Sequence, residues 1–249
     1  MFRTIITQFR KPLSSFTSDF CTKAPFRRRE INDVKIVGTL VNDSYVLKSG
    51  TKALTVKTKE SPMRYSNHNI HINTNAEFSV GQRIYVIGKL RSTNLDTADG
   101  KRLTVSVVKA LQLYVLENES GSAHSAIEGD KNNVEILANI GSDVVVKDNH
   151  AIFTVVTNFT KTAEDGEESS GAHYHRVFAY DDLLGYVKAN LKKGDRILLN
   201  GRIGHMTNTQ PDGKKFYSGF IVAENIFRVA RRTKDDAESN ESAKVEAEN

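Results

Sequence analysis

The chain repeats itself, and that repeat constrains its fold more than any other feature. Asn32-Asp33-Val34-Lys35-Ile36-Val37-Gly38 is echoed by Asn132-Asn133-Val134-Glu135-Ile136-Leu137-Ala138. Val80-Gly81-Gln82-Arg83-Ile84-Tyr85-Val86-Ile87-Gly88-Lys89-Leu90 is echoed by Lys193-Gly194-Asp195-Arg196-Ile197-Leu198-Leu199-Asn200-Gly201-Arg202-Ile203. At the same spacing of 113 residues, Asp99-Gly100-Lys101-Arg102 falls on Asp212-Gly213-Lys214-Lys215. Matched blocks in one order indicate two copies of one unit, and Asp-Gly ahead of a β-rich run marks a hairpin in each.

Each unit reads as a string of short strands. In the second they fall at 133–147, 151–159, 172–180, 195–204 and 215–222, with a further short run at 225–229. A helix is predicted over 181–191, where Leu183, Leu184, Val187 and Leu191 share a stripe and Gly194 follows. The first unit has strands at 33–47, 53–59, 67–73, 83–91 and 102–109, and its helix slot, 74–80, has room for only a turn. Five strands with a helix between the third and fourth is the order of an OB-fold. The predicted class is therefore all-β: two tandem five-stranded OB-fold barrels, the second with a helix between strands 3 and 4. The first spans 31–116 and the second 132–232. Residues 117–131, polar and without periodicity, form the linker.

The two ends differ in charge. The net charge of +5 over 249 residues conceals an N-terminal segment, 1–29, in which seven Lys and Arg face Asp19 alone. That segment is rich in Arg, Ser and Thr, and Phe2, Ile5, Ile6, Phe9 and Leu13 can share one helical face. This is the composition of a mitochondrial transit peptide. Cleavage near Arg27 to Glu30 would also remove Cys21, the only cysteine. Residues 233–249 are acidic, almost free of apolar side chains, and expected to be disordered. No apolar run reaches the ~18–20 residues needed to span a membrane, and a single cysteine permits neither an intrachain disulfide nor a cysteine-based zinc site.

The strand at 172–180 carries the functional signal. Alternation sends Tyr174, Arg176, Phe178 and Tyr180 to one face and His175, Val177 and Ala179 to the other. Rings beside a cation on a solvent-facing sheet suit a single-stranded nucleic acid, because every base has a π-face and every linkage a negative charge. In the first unit Asn67, Asn69, His71 and Asn73 take these places, so that face is expected to be degenerate and the first unit mainly structural, lending charge through Lys57, Lys59, Arg64, Lys101 and Arg102.

With these residues in view, the second unit resembles the single-stranded DNA-binding protein family of bacteria and mitochondria. The resemblance spans roughly 132–232. It rests on Tyr174-His175-Arg176-Val177, on Tyr186-Val187 through Leu191-Lys192-Lys193-Gly194-Asp195-Arg196-Ile197 and Asn200-Gly201-Arg202-Ile203, and on Ile221-Val222-Ala223-Glu224-Asn225-Ile226. It implies base stacking at Tyr174 and Tyr180. Two further stacking positions fall at Lys161 and near Asn208, which are not aromatic; Phe159, two residues before Lys161 on the same face, can substitute. Phosphate contacts are expected from Arg176, Arg202, Lys214 and Lys215, the last two just past the hairpin tip. The family commonly assembles as four barrels, so a two-barrel chain implies a homodimer.

The other constellations point to nothing catalytic. His173 and His175 read as a rim and a packed histidine rather than a metal site, and no Ser-His-Asp order, paired carboxylates or phosphate loop stands out. Glu164, Asp165, Glu167 and Glu168 sit in a Gly/Ser loop beside the proposed groove and oppose phosphate. No cofactor, metal or catalytic residue is expected. The expected function is that of a non-enzymatic protein of the mitochondrial matrix nucleoid that coats single-stranded DNA during replication, with replication proteins as partners. The alternatives are an organellar RNA-binding accessory factor and an OB-fold assembly protein that binds mainly protein.

Overall fold

The computed structural model describes residues 30–96, 102–116, 129–162, 166, 168–209 and 215–230. The N-terminal segment 1–29, most of the linker, the hairpin tips and the acidic tail lie outside them. The first unit contains β1 (Ile31–Leu40), β2 (Tyr45–Val46), β3 (Lys52–Ser61), β4 (Arg64–Ile72), β5 (Arg83–Asp96) and β6 (Arg102–Leu116). The second contains β7 (Lys131–Ile140), β8 (Val145–Val146), β9 (His150–Thr162), β10 (Glu168–Tyr180), α1 (Asp182–Asn190), β11 (Arg196–Thr209) and β12 (Lys215–Ala230).

In each unit five strands hydrogen-bond in a ring. β1, β3, β4, β6 and β5 run in that order and close through β1–β5, with β4–β6 the parallel pair. β7, β9, β10, β12 and β11 do the same, with β10–β12 parallel. The alternation that predicts the strands also fills the rings: Val34, Ile36, Leu54, Val56, Ile70 and Ile84 in one, Val134, Ile136, Phe153, Val155, Val177 and Ile197 in the other, all buried. α1 lays Val187 against the second core, and Leu191, just past its end, joins it. The segment before β5 forms no helix, as its length predicts.

The sequence repeat reappears as matched hydrogen bonds and bulges. Asn32 clamps the backbone of Leu90, donating from Nδ2 to its carbonyl and accepting its N–H at 2.8 Å each; Asn132 holds Ile203 in the same way at 2.8 and 3.0 Å. Thr58 Oγ1 meets His68 Nε2 at 2.8 Å, and Thr157 Oγ1 meets His175 Nε2 at 2.9 Å. Gly88 and Gly201 each sit at a β-bulge. A Cβ on either would lie 2.4 Å from the Lys109 carbonyl oxygen or 2.2 Å from that of Val222, so only glycine fits this close backbone approach.

The two units join through their first strands. β1 and β7 pair antiparallel over seven residues, with Val34 opposite Val134, its own repeat equivalent. An approximate two-fold axis therefore passes through that pair. Reciprocal contacts reinforce it. Glu30 accepts the backbone N–H and side-chain amide of Asn158, both at 2.7 Å. Asp130 accepts the Lys59 N–H at 2.6 Å and pairs with Arg83 at 2.7 Å. β7 thus begins at Lys131, inside the segment read as linker, and Asp130 is already anchored.

The strands also run on past the rings as arms. β5 and β6 reach Asp96 and Arg102, and β11 and β12 reach Thr209 and Lys215. Each arm packs on the opposite unit: Ser106 Oγ donates to the Gly219 carbonyl, and the His205 ring meets the His68 ring edge-on at 5.2 Å.

Candidate nucleic-acid interface

β10 positions the outer face of the second unit. Its register against β9 sets Tyr174 opposite Val156, Arg176 opposite Thr154, Phe178 opposite Ile152 and Tyr180 opposite His150. The predicted alternation holds: His175, Val177 and Ala179 are buried, while Tyr174 and Arg176 are exposed. Tyr174 is 58% exposed and Tyr180 is partly exposed. Phe178 departs from expectation. It lies on the outer face but is only 6% exposed, because Phe220 of β12 covers it at 4.7 Å between ring centroids. Tyr180 stacks beside it at 6.1 Å and 13°, and His150 tilts against both rings at 5.6 Å.

The outer face is therefore a joined aromatic surface of His150, Tyr180, Phe178 and Phe220, with Tyr174 and Arg176 farther along the same strand. Sequence reading missed Phe220 and His150. Phe220 has the parity of Val222 on a strand already predicted, a signal that was present. His150 becomes a member only through the β9–β10 register, which no local pattern reveals.

Two other predicted site residues lie elsewhere than expected. Phe159 lies on the inner strand face rather than the outer one expected of it. Phe159 stands opposite Gly171 and in line with buried Thr157, Val155 and Phe153, and its ring stacks on His173 at 4.5 Å and 21°. It cannot extend the Tyr174 platform, since odd and even positions of one strand face opposite ways. Arg202 is committed to carboxylates: its Nη1 is 2.8 Å from Glu60 Oε2 and its Nε 3.7 Å from Glu224 Oε1. Glu60 is itself nearly buried and also accepts from Ser66, Arg64 and Asn132, so Arg202 serves the seam between the units. Lys214, and the side chains of Lys161, Asn208 and Lys215, lie outside the described residues, as do Glu164, Asp165 and Glu167 of the acidic loop.

The histidines beneath the face are held neutral. Burial, with His173 nearby, lowers His175 to about 3. Burial, with His205 nearby, lowers His68 to about 3, and burial lowers His205 to about 4 against the opposing pull of Glu60. His173 is lowered by burial and by Arg91, partly offset by its contact with Ser92. These rings build the seam and carry no charge to a ligand at neutral pH. What the outer surface offers is ring faces beside cations, a chemistry of recognition.

Residues 131–229 match the model of the single-strand binding protein family. The second unit is similar to that family over nearly its whole length. The matched region carries Tyr174, Arg176, Phe178 and Tyr180 on its outer face and Val187 of α1 in its core. Among curated relatives, the mitochondrial single-stranded DNA-binding protein of Bos taurus is 25% identical over 141 residues, 52% of this chain and 95% of its own length. That of Drosophila melanogaster is 28% identical over 112 residues, 43% of this chain and 77% of its own. A single-stranded DNA-binding protein of Deinococcus radiodurans is 24% identical over 161 residues, 61% of this chain and 53% of its own. The crystal structure of the wild-type single-stranded DNA-binding protein from Thermus aquaticus superposes with a TM-score of 0.54 at 19% identity, covering 82% of this chain and 96% of that one. The likeness to that fold extends beyond the matched region into the first unit.

Proposed function

We propose that this chain binds single-stranded DNA without sequence preference and coats it during replication and maintenance of the mitochondrial genome. The observation that carries this reading is the outer face of β10 and β12. Tyr174 offers an open ring, Tyr180 and Phe178 form a stacked pair backed by Phe220 and His150, and Arg176 supplies charge between them. Each stacked base contributes roughly 1–3 kcal/mol, and any base can stack. The family match over 131–229 and the names of the mitochondrial relatives support the ligand and the compartment.

In this reading the two strand rings are tandem OB-fold barrels, 31–116 and 132–232, and segment 1–29 is removed on import. A homodimer then assembles four barrels. Stacking on ring faces does not itself distinguish DNA from RNA, so binding to matched DNA and RNA oligomers decides between DNA coating and an RNA accessory role. The reading as a mainly protein-binding assembly factor predicts no oligonucleotide binding at low salt. The decisive experiment is fluorescence anisotropy with oligo-dT. Replacing Tyr174 and Tyr180 together by Ala should weaken binding by about tenfold or more while circular dichroism and Tm stay near those of the unaltered protein. Unchanged affinity in the double variant rejects the stacking model.

A further inference from the structure

The first unit also has an outer face, and it is not what the sequence led us to expect. Asn67, Asn69 and His71 do point outward on β4, but Tyr65, two residues before Asn67, shares their parity and is 50% exposed. Lys57, opposite Asn67 on β3, sets its Nζ 4.1 Å from the centroid of the Tyr65 ring. Lys59, opposite Tyr65, is exposed as well. Following the sheet across, His71 pairs with Lys109 of β6, and Lys109 stands directly opposite Lys89 of β5. Arg91, two residues on, is exposed and close enough to lower the pKa of Lys109, after the larger effect of partial burial.

Like charges directly opposite one another in a sheet repel. Here Lys89, Lys109 and Arg91 crowd together, and no outward position of β3 or β4 between Ala53 and His71 is acidic. The carboxylates at the margin are already engaged: Glu60 by Arg202, Arg64, Ser66 and Asn132, and Asp130 by Arg83 and the Lys59 N–H. A polyanion would relieve this crowding. The face also runs up to the ring face of the second unit. Ser92, the residue after Arg91, accepts the Tyr174 N–H through its Oγ at 3.1 Å and contacts His173 Nδ1 through its backbone.

We infer that the outer face of β3 to β6 is a second binding surface, for the phosphodiester backbone of the same single strand, entered at the Ser92–Tyr174 contact. It works chiefly through Lys89, Arg91, Lys109 and Lys57, with Tyr65 as its exposed ring. This inference rests on the proposed function and assigns the first unit a different share of it: the second unit stacks bases, and the first neutralises phosphate.

The test uses the full chain and two oligo-dT probes, one of ~12 nucleotides, within the ~4–16 that one OB-fold covers, and one of ~35, long enough for both units. The triple variant Lys89→Ala, Arg91→Ala, Lys109→Ala should bind the short probe as the unaltered protein does. It should lose about tenfold in affinity for the long probe at low salt, and its log–log salt slope should shrink by about 2, since each lost phosphate contact removes ~0.7. Photocrosslinking with a halogenated-uracil version of the long probe should label Tyr65. An unchanged affinity and slope for the long probe, or crosslinks confined to the second unit, overturn the inference and leave the proposed function intact. Failure of the unaltered chain to bind either probe overturns the proposed function itself.

Discussion

At the scale of single residues, burial decides chemistry more than identity does. Tyr174 and Phe178 alternate in phase on one strand, yet one is open and the other roofed by Phe220. The phase was legible in the sequence; the roof was not, because it comes from β12, more than 40 residues away. Histidine gives a sharper case. His68, His175 and His205 stay neutral in the fold down to about 3, 3 and 4, whereas an unfolded chain protonates them near ~6.5. As pH falls below that value the unfolded state binds the extra protons, so stability drops; above it these residues exert no pH effect. Chemical denaturation between pH 7 and 5 should show stability falling with a slope that approaches about 4 kcal/mol per pH unit near pH 5. His205→Asn should reduce that slope by about a third, in proportion to the proton removed. A flat profile over this range would contradict the burial of these rings.

At the scale of elements, the arms matter most. The sequence predicts strands ending near residues 91 and 204, where the barrel would close; the observed β5 and β11 continue to Asp96 and Thr209. The extensions are mostly polar and pair within their own hairpins, while the contacts that hold them, Ser106 to Gly219 and His205 to His68, reach the other unit, so no local periodicity marks them. The runs at 215–222 and 225–229 are one strand, β12, broken in pattern by the bulge opposite Gly201. The hairpins, the helix and the inward residues were legible because each has a local signal in turn chemistry, stripe or alternation. Arg202 shows what is lost without the arms: read as a phosphate contact, it is a seam residue. Arg202→Ala should therefore lower Tm, at a cost of about 1–3 kcal/mol because Glu60 is nearly buried. Affinity for a short oligo-dT should stay within about twofold, since the stacked bases that carry it are untouched. A large loss of affinity at unchanged Tm would restore Arg202 to the binding face.

At the scale of the whole molecule, β1 and β7 make two units into one sheet. Seven residues of β7 pair with β1, and an isolated second unit would expose that edge with its backbone groups unpaired. A fragment of residues 129–234 should therefore self-associate through β7, and sedimentation at rising concentration should show a dimer where the full chain shows none of this edge pairing; a fragment that remains monomeric would mean the seam is dispensable. The repeat made the duplication legible, but not the manner of joining, since the Val34–Val134 pairing arises between two elements of nearly the same sequence. That near-sameness has a further consequence. An exact two-fold axis makes both ends of any path across it interchangeable, so a symmetric pair cannot tell a strand from its reverse. Here Tyr174 faces where Asn67 would be, Glu60 where Phe159 would be, and His205 where Ser92 would be. The axis is broken at each seam, and the molecule has a direction, with an aromatic head and a cationic tail, that two identical subunits could not possess.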